Sequence, residues 1–325
     1  MNKILLFAFF FMQTLINAQT SERNLSSEKW RFKNTKENNW LTASVPGTVH
    51  LDLMNNKIIP DPYKDENEKK VQWIENENWD YQTSFNITSK DLENQNIDLV
   101  FEGLDTFSEV YLNGKLIQST DNMFRKWTIP VKQYLKTGEN ILQVKFKSSL
   151  NAGKEFAKKV PFTMPESPRS FVRKSQYQFG WYWGPRLVTA GIWKDVKLNF
   201  WNIARLDHVK IEQKILTKQK ADLNIHAEIF ATEEGKYSFS INGKSQNISL
   251  KSGLNLVSIP YQIQNPKFWQ PNGWGKPNLY NLKITLKKDK KNIDEKSERI
   301  GLRTVELIQE KDEYIIKYKY SLRLY

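Results

Sequence analysis

The chain has 325 residues, 39% hydrophobic and 13% aromatic, with 11 tryptophans and no cysteine. That length accommodates two or three ordinary domains, and the missing thiols exclude disulfides, cysteine nucleophiles and cysteine metal sites. The formal net charge is +13, but the lysines are scattered among 36 acids without a nucleic-acid motif, so the excess reads as a solvated surface and no nucleic-acid partner is expected.

Met1-Asn2-Lys3 is a short basic segment, and Ile4 to Phe11 is an apolar run too short to span a bilayer. A small residue for cleavage stands at Ala18, with Ile16 three positions before the cut. Residues 1–18 therefore read as a signal peptide cleaved after Ala18, and the protein is expected to be secreted or periplasmic. No cysteine follows to carry a lipid anchor, and no later stretch resembles a membrane span.

A polar stretch containing Trp30 leads to Val45-Pro-Gly-Thr-Val-His50, in which Pro46-Gly47 signals a turn. Leu51 to Asn56 fits one helical turn. Ile58 to Tyr63 is held extended by Pro60 and Pro62, and the charged residues 64–70 read as an exposed loop. From Trp79 the pattern alternates with period two, in Asp80–Ile87, Ile97–Glu102, Ser108–Leu112, Lys115–Ile117, Phe124–Val131 and Asn140–Phe146. Asn113-Gly114 is the dipeptide that favours a type I′ hairpin, and Thr137-Gly138 marks a further turn. Many short strands at this spacing predict a β-sandwich.

Pro161, Pro165 and Pro168 interrupt residues 150–170. Then comes Ser175 to Trp193, with five aromatic residues between Tyr177 and Trp183 and with Gly180, Gly184, Pro185 and Gly191 around them. A helix would not tolerate that Gly and Pro density. The stretch reads as an ordered loop between strands, presenting Trp181, Tyr182, Trp183 and Arg186. Trp181 and Trp183 are two apart, so on an extended backbone their rings share a face. Aromatic faces with a few convergent polar groups suit a carbohydrate. A tryptophan corner that plugs the end of a sandwich would share this composition.

Gly191 to Phe200 reads as a closing strand. A second β unit follows, with short alternating runs in Ala204–Glu212, Ala221–Phe230, Gly235–Ile241, Gln246–Leu250, Gly253–Ile259 and Leu279–Leu286. Asn242-Gly243 is another hairpin turn, and Lys287 to Lys291 reads as a hairpin tip. About a hundred residues with some seven strands predict an immunoglobulin-like sandwich without its disulfide. His50, His208 and His226 are far apart and show no metal-ligand spacing, so neither a metal nor a cofactor is expected.

Six motifs in order resemble those of β-mannosidases of glycoside hydrolase family 2. They are Val45-Pro-Gly-Thr-Val-His50, Asp61-Pro-Tyr63, Gly103-Leu-Asp-Thr106 with Val110-Tyr-Leu-Asn-Gly114, Gly180-Trp-Tyr-Trp-Gly-Pro-Arg186, Trp269-Gln-Pro-Asn-Gly273 and Gly301-Leu-Arg-Thr-Val-Glu306. The resemblance implies an all-β chain, with a jelly-roll, galactose-binding-like sandwich over residues 22–200 and an immunoglobulin-like sandwich over 201–306. It also implies that residues 307–325 are the truncated start of a (β/α)8 catalytic domain, whose usual length is about 250 residues.

In such an enzyme two barrel glutamates would hydrolyse terminal non-reducing β-D-mannose from a β-mannoside oligosaccharide. The Asn67-Glu68 and Asn76-Glu77 pairs resemble the family's acid/base dipeptide only superficially, so no catalytic residue is expected here and the chain alone should be inactive. Two other readings are a weak carbohydrate-binding module and a non-functional fragment of a truncated gene. The resemblance makes Trp181, Tyr182, Trp183 and Arg186 the substrate-binding candidates. The family's aspartate between the two tryptophans is replaced by Tyr182, which cannot accept two hydrogen bonds as a carboxylate does.

Overall fold

The computed structural model describes residues 20–310 and 313–319. The leader read into residues 1–18 lies outside the described residues, as do 311, 312 and 320–325 of the segment read as the start of a barrel. The chain divides into two compact units, one of Ser21–Trp201 and one that includes everything from Asn202 onward.

The first unit is a sandwich of two antiparallel sheets. One sheet has six strands in the spatial order Leu41–Thr42, Arg31–Asn34, Trp79–Ile87, Gly138–Phe146, Phe107–Leu112 and Lys115–Asp121. The other has four, in the order Ser21–Asn24, Val196–Trp201, Asn96–Phe101 and Trp127–Pro130. Period-two alternation delivers the core. In Trp79–Ile87 the side chains of Tyr81, Thr83, Phe85 and Ile87 turn inward while Ser84 and Asn86 stay exposed. Phe32, Tyr81, Phe146, Leu99, Phe101 and Leu198 meet in one buried cluster, and burial of each large side chain contributes about 1.5–3 kcal/mol. Residues 113 and 114 close the predicted hairpin, with Asn113 at φ 50° and Gly114 at φ 79° as a type I′ turn requires.

Three local features differ from the sequence expectation. Residues 64–70 contain a short helix, Asn67–Lys70. A nine-residue helix, Ser149–Ala157, follows the strand Gly138–Phe146, its N-terminus capped by Ser148 Oγ accepting from the Asn151 N–H at 3.1 Å. Its periodicity is too short to read, and Gly153 lowers helix propensity at its middle. The closing strand is also shorter than expected, Val196–Trp201, because residues 190–192 pair elsewhere.

The second unit contains a three-stranded sheet of Ala204–Leu216, Lys220–Ala231 and Gly253–Gln264. Facing it are four strands in the order Lys244–Leu250, Gly235–Ile241, Tyr280–Lys288 and Lys291–Ile300. Ala221, Leu223, Ile225, Ala227, Ile229 and Ala231 alternate inward along one strand and pack on Phe239, Ile284 and Leu286 from the other sheet. The Asn242-Gly243 turn forms, and Asp289 and Lys290 make the expected tip, both with positive φ. A separate hairpin pairs Thr304–Glu310 with Glu313–Lys319. Among the described residues no helix is long and apolar enough to cross a membrane. Each unit is thus built of antiparallel sheets, and the chain is all-β with a few short helices, as the alternating strands predict.

Candidate functional site

Within the stretch read as an ordered loop, the aromatic residues form a short hairpin in the first unit. Phe179–Trp181 pairs antiparallel with Gly184–Arg186, in the register Phe179↔Arg186 and Trp181↔Gly184. That register leaves Tyr182 and Trp183 as the two turn residues. Trp183 is therefore off the extended backbone that would have aligned its ring with Trp181. The two indoles meet edge to face instead, with centroids 5.9 Å apart and planes at 76°. Gly180 allows the entry, since its φ of +92° is unfavourable for any side chain.

Arg186 fixes the hairpin to two short helical segments far earlier in the chain, Asn67–Lys70 and Gln72–Asn76. Its Nη2 and Nε donate to the Glu75 carboxylate at 2.8 and 3.0 Å, a two-point grip that a lysine could not reproduce. Its Nη1 donates to the Phe179 carbonyl at 3.2 Å, and its backbone N–H donates to Glu68 Oε1 at 2.6 Å. Glu77 pairs with Lys36 at 2.9 Å and accepts from Asn34 Nδ2 at 3.2 Å. Both glutamates of the Asn-Glu dipeptides are thus engaged by structural partners.

Beside the hairpin lies a cleft of about 800 Å³. Tyr63, Tyr177, Trp181, Trp183 and Trp193 give it aromatic walls, and Thr48, Ser175, Gln176, Gln178 and Thr189 supply hydroxyls and amides. Trp193 is held by its Nε1, which donates to the Met123 carbonyl at 3.1 Å. The Gln176 amide ties its own segment to the carbonyls of Val172 and Lys174, at 3.2 and 3.1 Å.

Among the described residues the one charged side chain lining the cleft is Asp105, and its charge is spoken for. It forms a fully buried ion pair with Lys174 and accepts from the hydroxyls of Thr106 and Thr189, each at 2.6 Å. Lys174 also donates to the Thr189 carbonyl at 2.7 Å. Burial pulls the Lys174 pKa down, and Asp105 opposes that pull. His50, also buried, is held neutral: desolvation first, then the nearby Lys174 charge, lowers its pKa to about 4, against the attraction of Asp105.

Backbone contacts bring these segments together. The Asp105 N–H donates to the Gly191 carbonyl and the Gly191 N–H to the Asp105 carbonyl, at 3.0 and 3.2 Å. The Gly47 and Val49 N–H groups bond the carbonyls on either side of Gly191, those of Ile192 and Ala190, at 2.9 and 2.8 Å. Gly191 sits at φ +145°, and a Cβ there would lie 2.9 Å from the Gly47 carbonyl oxygen.

Of the four residues read from the sequence, Trp181 and Trp183 line the cleft, 48% and 80% exposed. Tyr182 is 99% exposed at the turn and is not among the lining residues. Arg186 braces the hairpin from behind through Glu75. Sequence reasoning missed the polar groups at and beneath the floor of the cleft: buried Lys174 and Gln178 and half-buried Thr189. Asp105 was visible only as part of the Gly103–Thr106 motif, and Lys174 among scattered lysines gave no signal. Among the described residues no cluster of three or more His, Cys, Asp or Glu could hold a metal.

Comparison with known proteins agrees with this architecture. Residues 30–194 match the family model for the glycosyl hydrolase 2 galactose-binding domain-like fold, and residues 203–303 match that for glycosyl hydrolases family 2. The chain is 32% identical over 309 residues to β-mannosidase B of Emericella nidulans, covering 90% of this chain and 36% of that protein. The crystal structure of a β-D-mannosidase from Dictyoglomus thermophilum superimposes with a TM-score of 0.83 and 44% identity, covering 92% of this chain and 38% of that one. An exo-chitosanase from Amycolatopsis orientalis, at 19% identity and a TM-score of 0.73, shares the fold. The chain thus spans little more than a third of the length of the curated relatives it matches.

Proposed function

Since the chain belongs to glycosyl hydrolases family 2 and is homologous to the N-terminal region of β-mannosidases, we propose that its cleft is one wall of a carbohydrate site. The ligand is the terminal non-reducing β-D-mannose of a β-mannoside. The observation that carries this reading is the Trp181–Trp183 pair beside hydroxyl and amide groups, in a cleft whose single lining charge is consumed by Lys174. Indole faces take up the C–H faces of a pyranose, and neutral polar groups receive its hydroxyls.

Retaining hydrolysis needs two opposed carboxyls about 5–5.5 Å apart. The described lining contributes one, and it is paired. The role proposed for these residues is therefore to hold and orient a sugar, with the hydrolytic step assigned to carboxyls of the longer family enzymes. Export is proposed on the leader-like residues 1–18, which suits a protein that meets polysaccharide outside the cytoplasm.

Saturation-transfer NMR with methyl β-D-mannopyranoside tests the binding reading. Transfer to the ring hydrogens is expected and should vanish when Trp181 and Trp183 are replaced by serine. No transfer in the wild type, or transfer indifferent to the tryptophans, would reject it.

A further inference from the structure

The hydroxyl of Thr189 faces two acceptor oxygens and has one hydrogen. Asp105 Oδ2 lies 2.6 Å away and, as a carboxylate paired with Lys174, can only accept. Gln178 Oε1 lies 2.9 Å away and is also an acceptor. Lys174 Nζ, at 3.3 Å, can only donate to the same oxygen. The single hydrogen must go to the charged, shorter partner, which leaves Thr189 able only to accept from Gln178.

An amide satisfies that demand by a half turn about its last bond, which exchanges oxygen for nitrogen at almost no change in shape. We infer that Gln178 donates its Nε2 hydrogen to Thr189 and thereby aims its carbonyl oxygen into the aromatic cleft, as an acceptor for one hydroxyl of a neutral sugar. Gln178 is 93% buried and lines the cleft, and among the described residues no protein partner is found for its second terminal atom. That atom is not sealed in the interior and the residue faces the cleft, so a ligand hydroxyl placed there replaces solvent at an acceptor that the protein itself leaves free. The Asp105–Lys174 pair acts at one remove: it fixes the Thr189 hydrogen, Thr189 fixes the amide, and the amide selects the ligand group. This inference rests on the carbohydrate reading for its ligand, but the amide orientation stands on hydrogen count alone.

Two measurements on the full chain separate those layers. In the ligand-free protein, the side-chain amide signals of Gln178 are identified by their loss in Gln178→Met. One of those protons should show a cross-peak to the Thr189 methyl and slowed exchange with water. Protons remote from Thr189, both exchanging freely, would overturn the orientation.

For the ligand, methyl β-D-mannopyranoside and its four mono-deoxy analogues are titrated against wild type, Gln178→Met and Gln178→Glu. The glutamate variant keeps the shape and loses the hydrogen owed to Thr189. Each variant should weaken the parent glycoside ~5–10-fold, the effect of one lost hydrogen bond. One deoxy analogue should bind wild type and Gln178→Met equally weakly. Unchanged affinity in both variants, beside a wild type that binds, would overturn this inference alone. A wild type that binds no glycoside would overturn the carbohydrate reading and the ligand assignment with it.

Discussion

Lys174 and Asp105, 69 residues apart in the chain, form an ion pair in which neither side chain is exposed. The pair joins the segment after the Ser149–Ala157 helix to the one that follows the strand Asn96–Phe101. Thr189 joins them from the stretch between the aromatic hairpin and the closing strand. Three distant parts of the chain are thereby fixed against one side of the cleft.

Breaking such a pair from one side should be far worse than removing it whole. Lys174→Met leaves Asp105 buried without its counter-charge and should destabilise the first unit by about 3–5 kcal/mol. Adding Asp105→Asn should recover most of that loss. Urea unfolding of the single and double variants checks this, and a double variant no better than the single would contradict it.

His50 and Asp52 lie on one short helix, Val49–Asn55, and burial shifts their pKa values in opposite directions. Burial lowers the His50 pKa to about 4 from 6.5 and raises that of Asp52 to about 6 from 3.8. The Ser44 N–H and the Tyr81 hydroxyl, donating to Asp52 at 2.8 and 2.7 Å, resist its rise. Stability held by neutral His50 is full above 6.5 and is lost as pH falls towards 4. The Asp52 contribution has the opposite sign: it is full below 3.8 and is lost as pH rises towards 6. The two largely cancel between these limits. His50→Gln should leave Asp52 unopposed, shifting the stability difference between about pH 4 and about pH 7 towards acid by about 3 kcal/mol. Urea midpoints at both pH values, compared with wild type, read that shift. An unchanged difference would contradict the burial of His50.

Gly191→Ala should cost about 2 kcal/mol or more, because both the positive φ and the contact with Gly47 oppose a methyl group. The damage should reach the cleft, since Gly191 is bonded to Asp105 on both its backbone groups. Thermal unfolding together with the emission of the exposed tryptophans measures the two effects.

The purified 325-residue chain should leave an aryl β-D-mannoside intact, since the described cleft lining offers one carboxylate and Lys174 holds it. Turnover that disappears on substituting Asp105 would contradict the account.

The sandwiches were legible because half-buried strands must alternate, and the Asn-Gly turns at Asn113 and Asn242 punctuate them. The aromatic stretch stood out as a candidate site by composition, but its geometry was not legible. Only the pairing of Trp181 with Gly184 turns Trp183 away from the face it would share on an extended strand. Arg186 was legible as a polar group, yet its role depends on Glu75, 111 residues earlier. The floor was not legible at all. A buried lysine differs from a solvated one by what surrounds it, and Lys174 acquires Asp105 and Thr189 only through the fold.

The most direct test of the carbohydrate reading is a titration of the full chain with β-1,4-mannobiose, followed by tryptophan emission, for wild type and for the Trp181→Ser/Trp183→Ser double variant. The account predicts a saturable change in the wild type at about millimolar ligand, an affinity of about 4 kcal/mol, and no saturable change in the double variant. A double variant that binds as the wild type does, or a wild type that never responds, would contradict it.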